Sequence, residues 1–290
     1  MKLVSFGEVL FDVYPDAAHI GGAPLNVAAH TALHGATVQM LSAVGDDALG
    51  QRALEQMRVW GIGTDLVTVH TDLPTGACNV TLDANGIPSY ALAENTAWDR
   101  IEAPAAPLNA DVLYFGTLAL RSEANRNTLS RVLAENTFAE VVADVNIRRP
   151  FFNETTILFA LKNATILKLS DEDWEQMRAF VPSVTAEEPE AICRALASLF
   201  DNLRVILWTQ GGDGACAWEA ATATWIHQPA VKATVVSTVG AGDSFASSFL
   251  ARRQEGASIA ACLKHAATVA ALVVSNESAV PAYDPNVLSV

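Results

Sequence analysis

The chain has 290 residues, 51% of them hydrophobic, so it can bury a large core, and its 17% of charged residues is too low for a disordered chain. Its net charge of -14, with no block of Lys or Arg, excludes the basic footprint that nucleic-acid binding needs. An anionic ligand must therefore be held by local devices such as helix N-termini. Cys78, Cys193, Cys216 and Cys262 are too scattered for a zinc motif, and as reduced thiols they fit a cytoplasmic protein. Glu8 and Asp12 interrupt the apolar N-terminus, which argues against a signal peptide. No apolar run reaches the roughly 18 residues of a membrane span, so no membrane partner is expected.

In chain order, "KLVSFGEVL" reads as a buried first strand ending at Gly7-Glu8, and "PLNVAAHTALHGA" as a helix closed by Gly35. "TVQMLSAVG" is a strand and "DALGQRALEQMRVWG" a helix closed by Gly61. At "DVLYFGTLAL", "EVVADVN", "ATILKLS" and "LRVILWTQGG" a β-rich apolar run ends in small or polar residues before a helical pattern begins. Such alternation implies a parallel sheet with crossover helices, and ligands in such sheets sit beyond the carboxyl ends of the strands. One stretch breaks the rhythm: "TGACNVTLDANGIPSYAL", residues 75–92, reads as two strands around Ala84-Asn85-Gly86. A hairpin inserted in an α/β chain is either a lid or interface, or a plain exposed edge.

Two constellations carry chemistry. In "STVGAGDSF", Gly240, Ala241 and Gly242 precede a helix and Asp243 is the single acid there; "KATVV" just before it reads as a strand. Small residues at a helix N-terminus let backbone amides approach an anion. A carboxylate would repel a phosphate, so Asp243 is either a helix cap or a general base that accepts a hydroxyl proton. In "HIGGAPLNVAAH", Gly21-Gly22 permits close approach to the backbone or is an ordinary turn. Asn26, one turn into the helix, and Asp12 upstream offer an amide and a carboxylate for sugar hydroxyls.

With these motifs in place, the chain resembles the ribokinase (PfkB) family of carbohydrate kinases. "GGAPLNVA" with "VGDDALG" resembles the family's first signature and "STVGAGDSF" its second, in the expected order and over two hundred residues apart. There is no Walker A sequence and no G-x-G-x-x-G after the first strand. The resemblance implies a three-layer α/β/α sandwich in one domain over 1–290, with a small β-strand lid from about 11–22 and 75–95. It implies Asp243 as base and Gly240, Ala241 and Gly242 as anion hole, with Asp12, Gly22 and Asn26 as sugar ligands. It implies ATP and Mg²⁺ as cofactors. "TQGGDGA" resembles the nucleotide loop, bringing Thr209, Gly211 and Gly214 to ATP, and Lys168 is grouped with them. Ser170 and Asp173 fall where relatives carry N-x-x-E, which implies phosphate binding for Ser170 and a metal role for Asp173; both letters differ here. His265 falls at a position near adenine, or is a packed helix histidine.

"FGTLALRSEANRNTL" and "DVNIRRPFF" resemble bacterial fructokinases, and the second also resembles 2-keto-3-deoxygluconate kinases. Asn146 and Arg148 are thereby implied as sugar ligands, with Arg148 suited to a sugar carboxylate; alternatively Arg148 pairs with Asp144 or Asp12. The expectation is phosphorylation of fructose to fructose 6-phosphate. The alternatives are 2-keto-3-deoxygluconate, ribose or a nucleoside as acceptor, or a non-catalytic sensor on the same fold. Ser237 replaces the Asp that opens the second signature, so a weak response to a monovalent cation is expected. The lid hairpin is a candidate homodimer surface.

Overall fold

The computed structural model describes residues 1–82 and 88–285. β1 (Lys2–Phe6) is followed by a hairpin of β2 (Leu10–Val13) and β3 (Ala18–Gly21). α1 (Ala23–Leu33) opens with Pro24 in its first turn, where a missing N–H costs nothing, and ends before Gly35 at φ +77°. β4 (Thr37–Gly45) leads into α2 (Ala48–Val59), capped by the Asp47 side chain on the Gly50 amide and closed at Gly61, φ +74°. β5 (Ile62–Gly63) and β6 (Val67–His70) precede β7 (Gly76–Leu82) and β8 (Pro88–Leu92).

The rest of the chain first alternates. β9 (Val112–Gly116), α3 (Glu123–Glu135), β10 (Glu140–Asp144), α4 (Glu154–Asn163) and β11 (Ile166–Ser170) are followed by α5 (Asp171–Met177) and α6 (Pro189–Leu199). β12 (Val205–Thr209), β13 (Ala215–Glu219), β14 (Thr224–Gln228), α7 (Ala241–Gln254) and α8 (Ile259–Val274) complete it.

The main sheet runs β14-β13-β12-β11-β10-β9-β1-β4-β5, with β6 also on β4. From β12 to β6 its pairs are parallel. Strands β1, β4 and β9 to β12 are buried on both faces, hence their near-continuous apolar runs. One core cluster joins Phe115 and Leu167 to Leu129, Leu161 and Leu196 of α3, α4 and α6. The other joins Leu3 and Met40 to Leu25, Phe249 and Leu263 of α1, α7 and α8. The three-layer expectation is met. A second, four-stranded sheet, β3-β2-β7-β8, combines the segments expected to form the lid. The turn Ala84-Asn85-Gly86 lies outside the described residues.

Two expectations need correction. No α-helix comes between β12 and the next strand: three residues of 3₁₀ helix, Gly211–Asp213, lead into β13, which pairs antiparallel with β12. "TQGGDG" is a hairpin turn, and Gly214 is forced by geometry: at φ +108° a Cβ would lie 2.2 Å from the Gln228 carbonyl oxygen. Second, "KATVV" is not a strand. It pairs with no strand of either sheet, and Val235 and Val236 remain 64% and 55% exposed, so β propensity without a partner makes no strand. The four cysteines are free and buried. No helix among the described residues is long and apolar enough to cross a membrane.

Candidate active site

The site gathers at the carboxyl ends of the central strands. α7 is capped by Gly240, which has φ +80° and no side chain to offer its helix. A Cβ there would stand 2.5 Å from the Ala279 carbonyl oxygen, so only glycine fits. The Ala241 amide turns to the Thr238 carbonyl at 3.3 Å, whereas the amides of Gly240, Gly242 and Asp243 have no acceptor among the described residues. Behind Gly242 lies Lys168, whose Nζ is 3.2 Å from the point where a Cβ would sit. Unspent amides, a helix N-terminus and an ammonium are groups that could hold an anion.

Asp243 is the third residue of α7, not its cap, which removes the capping alternative. Its Oδ2 accepts a hydrogen bond from Asn26 Nδ2 at 2.8 Å, across 217 residues of chain, and Oδ1 has no partner among the described residues. Burial pushes the Asp243 carboxyl up to about 6; the Asn26 bond, Lys168 and Arg148 act the other way.

α1 presents Asn26 because its own N-terminus is fixed from elsewhere. Gly22, at φ +115°, would place a Cβ 2.5 Å from the Glu8 carbonyl oxygen. Lacking a side chain, it cannot cap α1, and Glu8 Oε1 accepts from the Ala23 amide instead, at 3.3 Å. Glu8 was not singled out from the sequence, although a carboxylate directly after a buried strand was the available signal. It is buried, its Oε2 has no partner among the described residues, and burial pushes it up to about 7. Asp12, half-buried on β2, has its Oδ2 3.7 Å from the point where a Gly21 Cβ would sit, which brings it to the Gly-Gly turn; burial raises its carboxyl too.

Arg148 is exposed and forms no ion pair among the described residues; its guanidinium lowers the carboxyls of Glu8, Asp12 and Asp243 at a distance. Pairing of Arg148 with Asp144 is therefore corrected: Asp144 is bonded by Lys168 Nζ at 2.9 and 3.0 Å and by the Tyr114 hydroxyl at 3.0 Å, all three buried. Burial opposes the charge on Lys168, but Asp144 outweighs it and the ammonium is held above its ordinary value.

Asp173 is placed otherwise than expected. Its Oδ1 accepts from the Ile147 amide at 2.7 Å, and its Oδ2 accepts from the Ser170 amide and hydroxyl in a capping box that starts α5. Both oxygens are engaged, and no group of three or more His, Cys, Asp or Glu among the described residues could hold a metal ion. Asp173 instead holds the loop in which Asn146 takes φ +34°, between Asp144 and Arg148. Ser170 pairs in register with Thr209, so Thr209, Gly211 and Gly214 follow at the next strand end. His265 is not drawn into this group by its ring contacts: it lies in the α1–α8 packing, Nε2 to Nε2 with His34 at 3.2 Å, as a packed helix histidine.

A parallel sheet with a clasped second sheet, and a buried acid beside unspent helix amides, define a phosphoryl-transfer type of α/β protein. The family model "pfkB family carbohydrate kinase" matches residues 2–285. The chain belongs to this family and is a sugar kinase. It is 28% identical over 273 residues to the probable fructokinase-5 of Arabidopsis thaliana, covering 86% of this chain and 81% of that protein. It is 26% identical to fructokinase-2 of Oryza sativa subsp. japonica, covering 97% and 90%. The crystal structure of fructokinase with bound ATP from Xylella fastidiosa superposes with a TM-score of 0.86 at 20% identity, over 99% of this chain and 97% of that one. The aminoimidazole riboside kinase of Salmonella enterica, complexed with aminoimidazole riboside and an ATP analog, gives 0.82 at 21%, over 99% and 98%. Both share the fold.

Proposed function

We infer that the protein transfers a phosphoryl group from ATP to the O6 hydroxyl of fructose, with Asp243 as general base. The observation that carries the chemistry is the Asp243 carboxylate, buried, raised to about 6, gripped on one oxygen by Asn26 and adjacent to unspent amides. A base works best with a pKa near the operating pH. The choice of fructose is supported by the fructokinase names among the relatives.

The donor end fits an anion: the free amides of 240, 242 and 243 converge with Lys168, and Gly242 has no side chain to obstruct them. ATP supplies the phosphoryl group and Mg²⁺ neutralises charge on its phosphates, as both are held in a solved E. coli neighbour. Asp173 accepts from Ile147 on one oxygen and from Ser170 on the other, which argues against its serving as a direct metal ligand. On the acceptor side Asp12 and the Gly21-Gly22 backbone orient the sugar hydroxyls, and Asn26 fixes the Asp243 carboxylate so that Oδ1 takes the hydroxyl proton. The second sheet serves as a lid that excludes water, which competes as acceptor, and as the homodimer surface. Ser237 accepts from the Val239 amide at 3.2 Å and supplies no charge, which supports a weak response to a monovalent cation.

ATP consumption with fructose, ribose, 2-keto-3-deoxygluconate and adenosine tests the reading. Fructose is expected to give the highest kcat/KM, and a tenfold preference for any other acceptor rejects it. A second reading, an acidic sugar, is favoured by Arg148, a cation with no ion pair among the described residues that acts on the carboxyls of the site. Arg148→Ala separates the two. If the acceptor is acidic, its KM rises at least about tenfold, since hydrogen bonds to charged groups are worth roughly 1.5–3 kcal/mol. If the acceptor is fructose, its KM changes about threefold or less.

A further inference from the structure

α1 and its C-cap carry three polar side chains spaced four apart: Asn26 and His30 in the helix and His34 at the cap. That spacing puts them on one stripe. Asn26 reaches Asp243 of α7 and His34 reaches His265 of α8. His30, between them and fully buried, reaches neither helix. Its Nε2 lies 2.9 Å from the Ala279 carbonyl oxygen and its Nδ1 2.7 Å from the Tyr283 hydroxyl. A carbonyl only accepts, so Nε2 carries the proton; the neutral ring then accepts at Nδ1 and the Tyr283 hydroxyl donates. The two rings are also stacked, centroids 5.6 Å apart. Burial keeps the imidazole neutral, pushing it down to about 4.

The Ala279 backbone is also the wall behind Gly240. A Cβ on Gly240 would meet the Ala279 carbonyl oxygen at 2.5 Å and its Cα at 2.9 Å. The segment from Ser275 to Ala279 has no regular secondary structure. Nearby, Val236 and Ser237 hang on the Val274 carbonyl at 2.7 and 3.2 Å, and the Ser278 hydroxyl serves only the Val280 amide at 3.2 Å. Among the described residues, the side-chain hydrogen bond that reaches Ala279 from the body of the fold is that of His30.

We propose that His30 is a positioning residue for phosphoryl transfer: its Nε2–H pins the Ala279 carbonyl, and through it seats Gly240 and the amides of the anion site. The same helix thus sets both halves of the reacting geometry, Asn26 aiming the base and His30, one turn later, placing the amides. The proposal rests on the anion-site reading of 240–243. A group seated only for the transition state affects kcat and leaves acceptor binding alone.

The experiment compares His30→Leu, His30→Gln and Tyr283→Phe with wild type, each checked for native fold by near-UV circular dichroism. His30→Leu keeps the volume and loses both hydrogen bonds. Its kcat is expected to fall about 10–100-fold with sugar KM within about threefold, since small misplacements cost up to about 10²-fold. Gln offers a donor and an acceptor at a similar reach, so His30→Gln is expected to recover most of that loss. Tyr283→Phe removes the hydrogen bond that anchors the ring at Nδ1, and a fall of about three- to tenfold in kcat alone is expected as the ring loosens; this variant decides the matter if His30→Leu does not fold. Unchanged kcat in a folded His30→Leu, or in Tyr283→Phe if that one decides, overturns the proposal, as does a loss shared equally by kcat and KM without rescue by Gln. Asp243→Asn, run in parallel, separates the two levels. If it retains activity, the anion-site reading fails; if it is inactive while the His30 variants are normal, only the His30 proposal fails.

Discussion

Asp243→Asn is expected to lose about 10²–10⁴-fold in kcat, the usual contribution of a general base, while retaining the fold and the Asn26 contact. The same variant should be more stable than wild type at neutral pH. Asp243 is held at about 6 against an ordinary 3.8, mainly by burial. Below the ordinary value the group is protonated in folded and unfolded chains alike and costs nothing. Between pH 4 and 6 the unfolded chain releases its proton first, so stability falls as pH rises, and above 6 the full cost stands. About two pKa units correspond to about 3 kcal/mol, an order-of-magnitude figure for the gain expected of Asn at pH 8. Urea melts at pH 4 and pH 8 read this directly, and the gain should be confined to the higher pH. Turnover within about threefold of wild type would show that Asp243 is not the base. In wild type the acid limb of the rate profile should lie near the value of Asp243, displaced by its coupling to Glu8, which titrates at about 7 in the same site.

Lys168→Met gives the largest expected loss of stability. Asp144 has no exposed surface, and the change leaves its carboxylate with only the Tyr114 hydroxyl. Breaking a buried pair on one side costs about 3–5 kcal/mol, because a desolvated charge is left uncompensated. Lys168→Met combined with Asp144→Asn removes that charge and should recover most of the stability measured by urea unfolding. Activity should not return with it, because the ammonium behind Gly242 is still missing. A single variant that costs less than about 1 kcal/mol would mean that water already reaches the pair. A double variant that regains full activity would remove Lys168 from the anion site.

The glycines and the strand-to-helix alternation were legible because they answer to local rules. Gly35 and Gly61 end helices with positive φ, and the apolar runs of β1, β4 and β9 to β12 declare strands buried on both faces. The anion site was legible for the same reason, since its device is the start of one helix. What failed locally was the segment whose partner lies elsewhere. "KATVV" has the composition of a strand, but a strand needs a partner, and it pairs with none among the described residues. The asymmetry in the site is similar. Asp243, Gly242 and Asn26 are marked by their own neighbours in sequence, whereas Glu8 becomes a site residue only when β1 ends beside Gly22 and Ala23.

The sequence by itself therefore determined the layered α/β architecture, the place of the acid and the glycines, and the family the chain belongs to, because periodicity, turn chemistry and helix-start chemistry act within a few residues. Only the tertiary structure decided which groups meet. Asn26 finds Asp243 across 217 positions, Asp173 takes the Ile147 amide, and Lys168 takes Asp144, leaving Arg148 with no ion pair among the described residues. The values of about 6 and about 7 for Asp243 and Glu8 arise the same way, since desolvation is set by everything packed around a group and not by its neighbours in the chain.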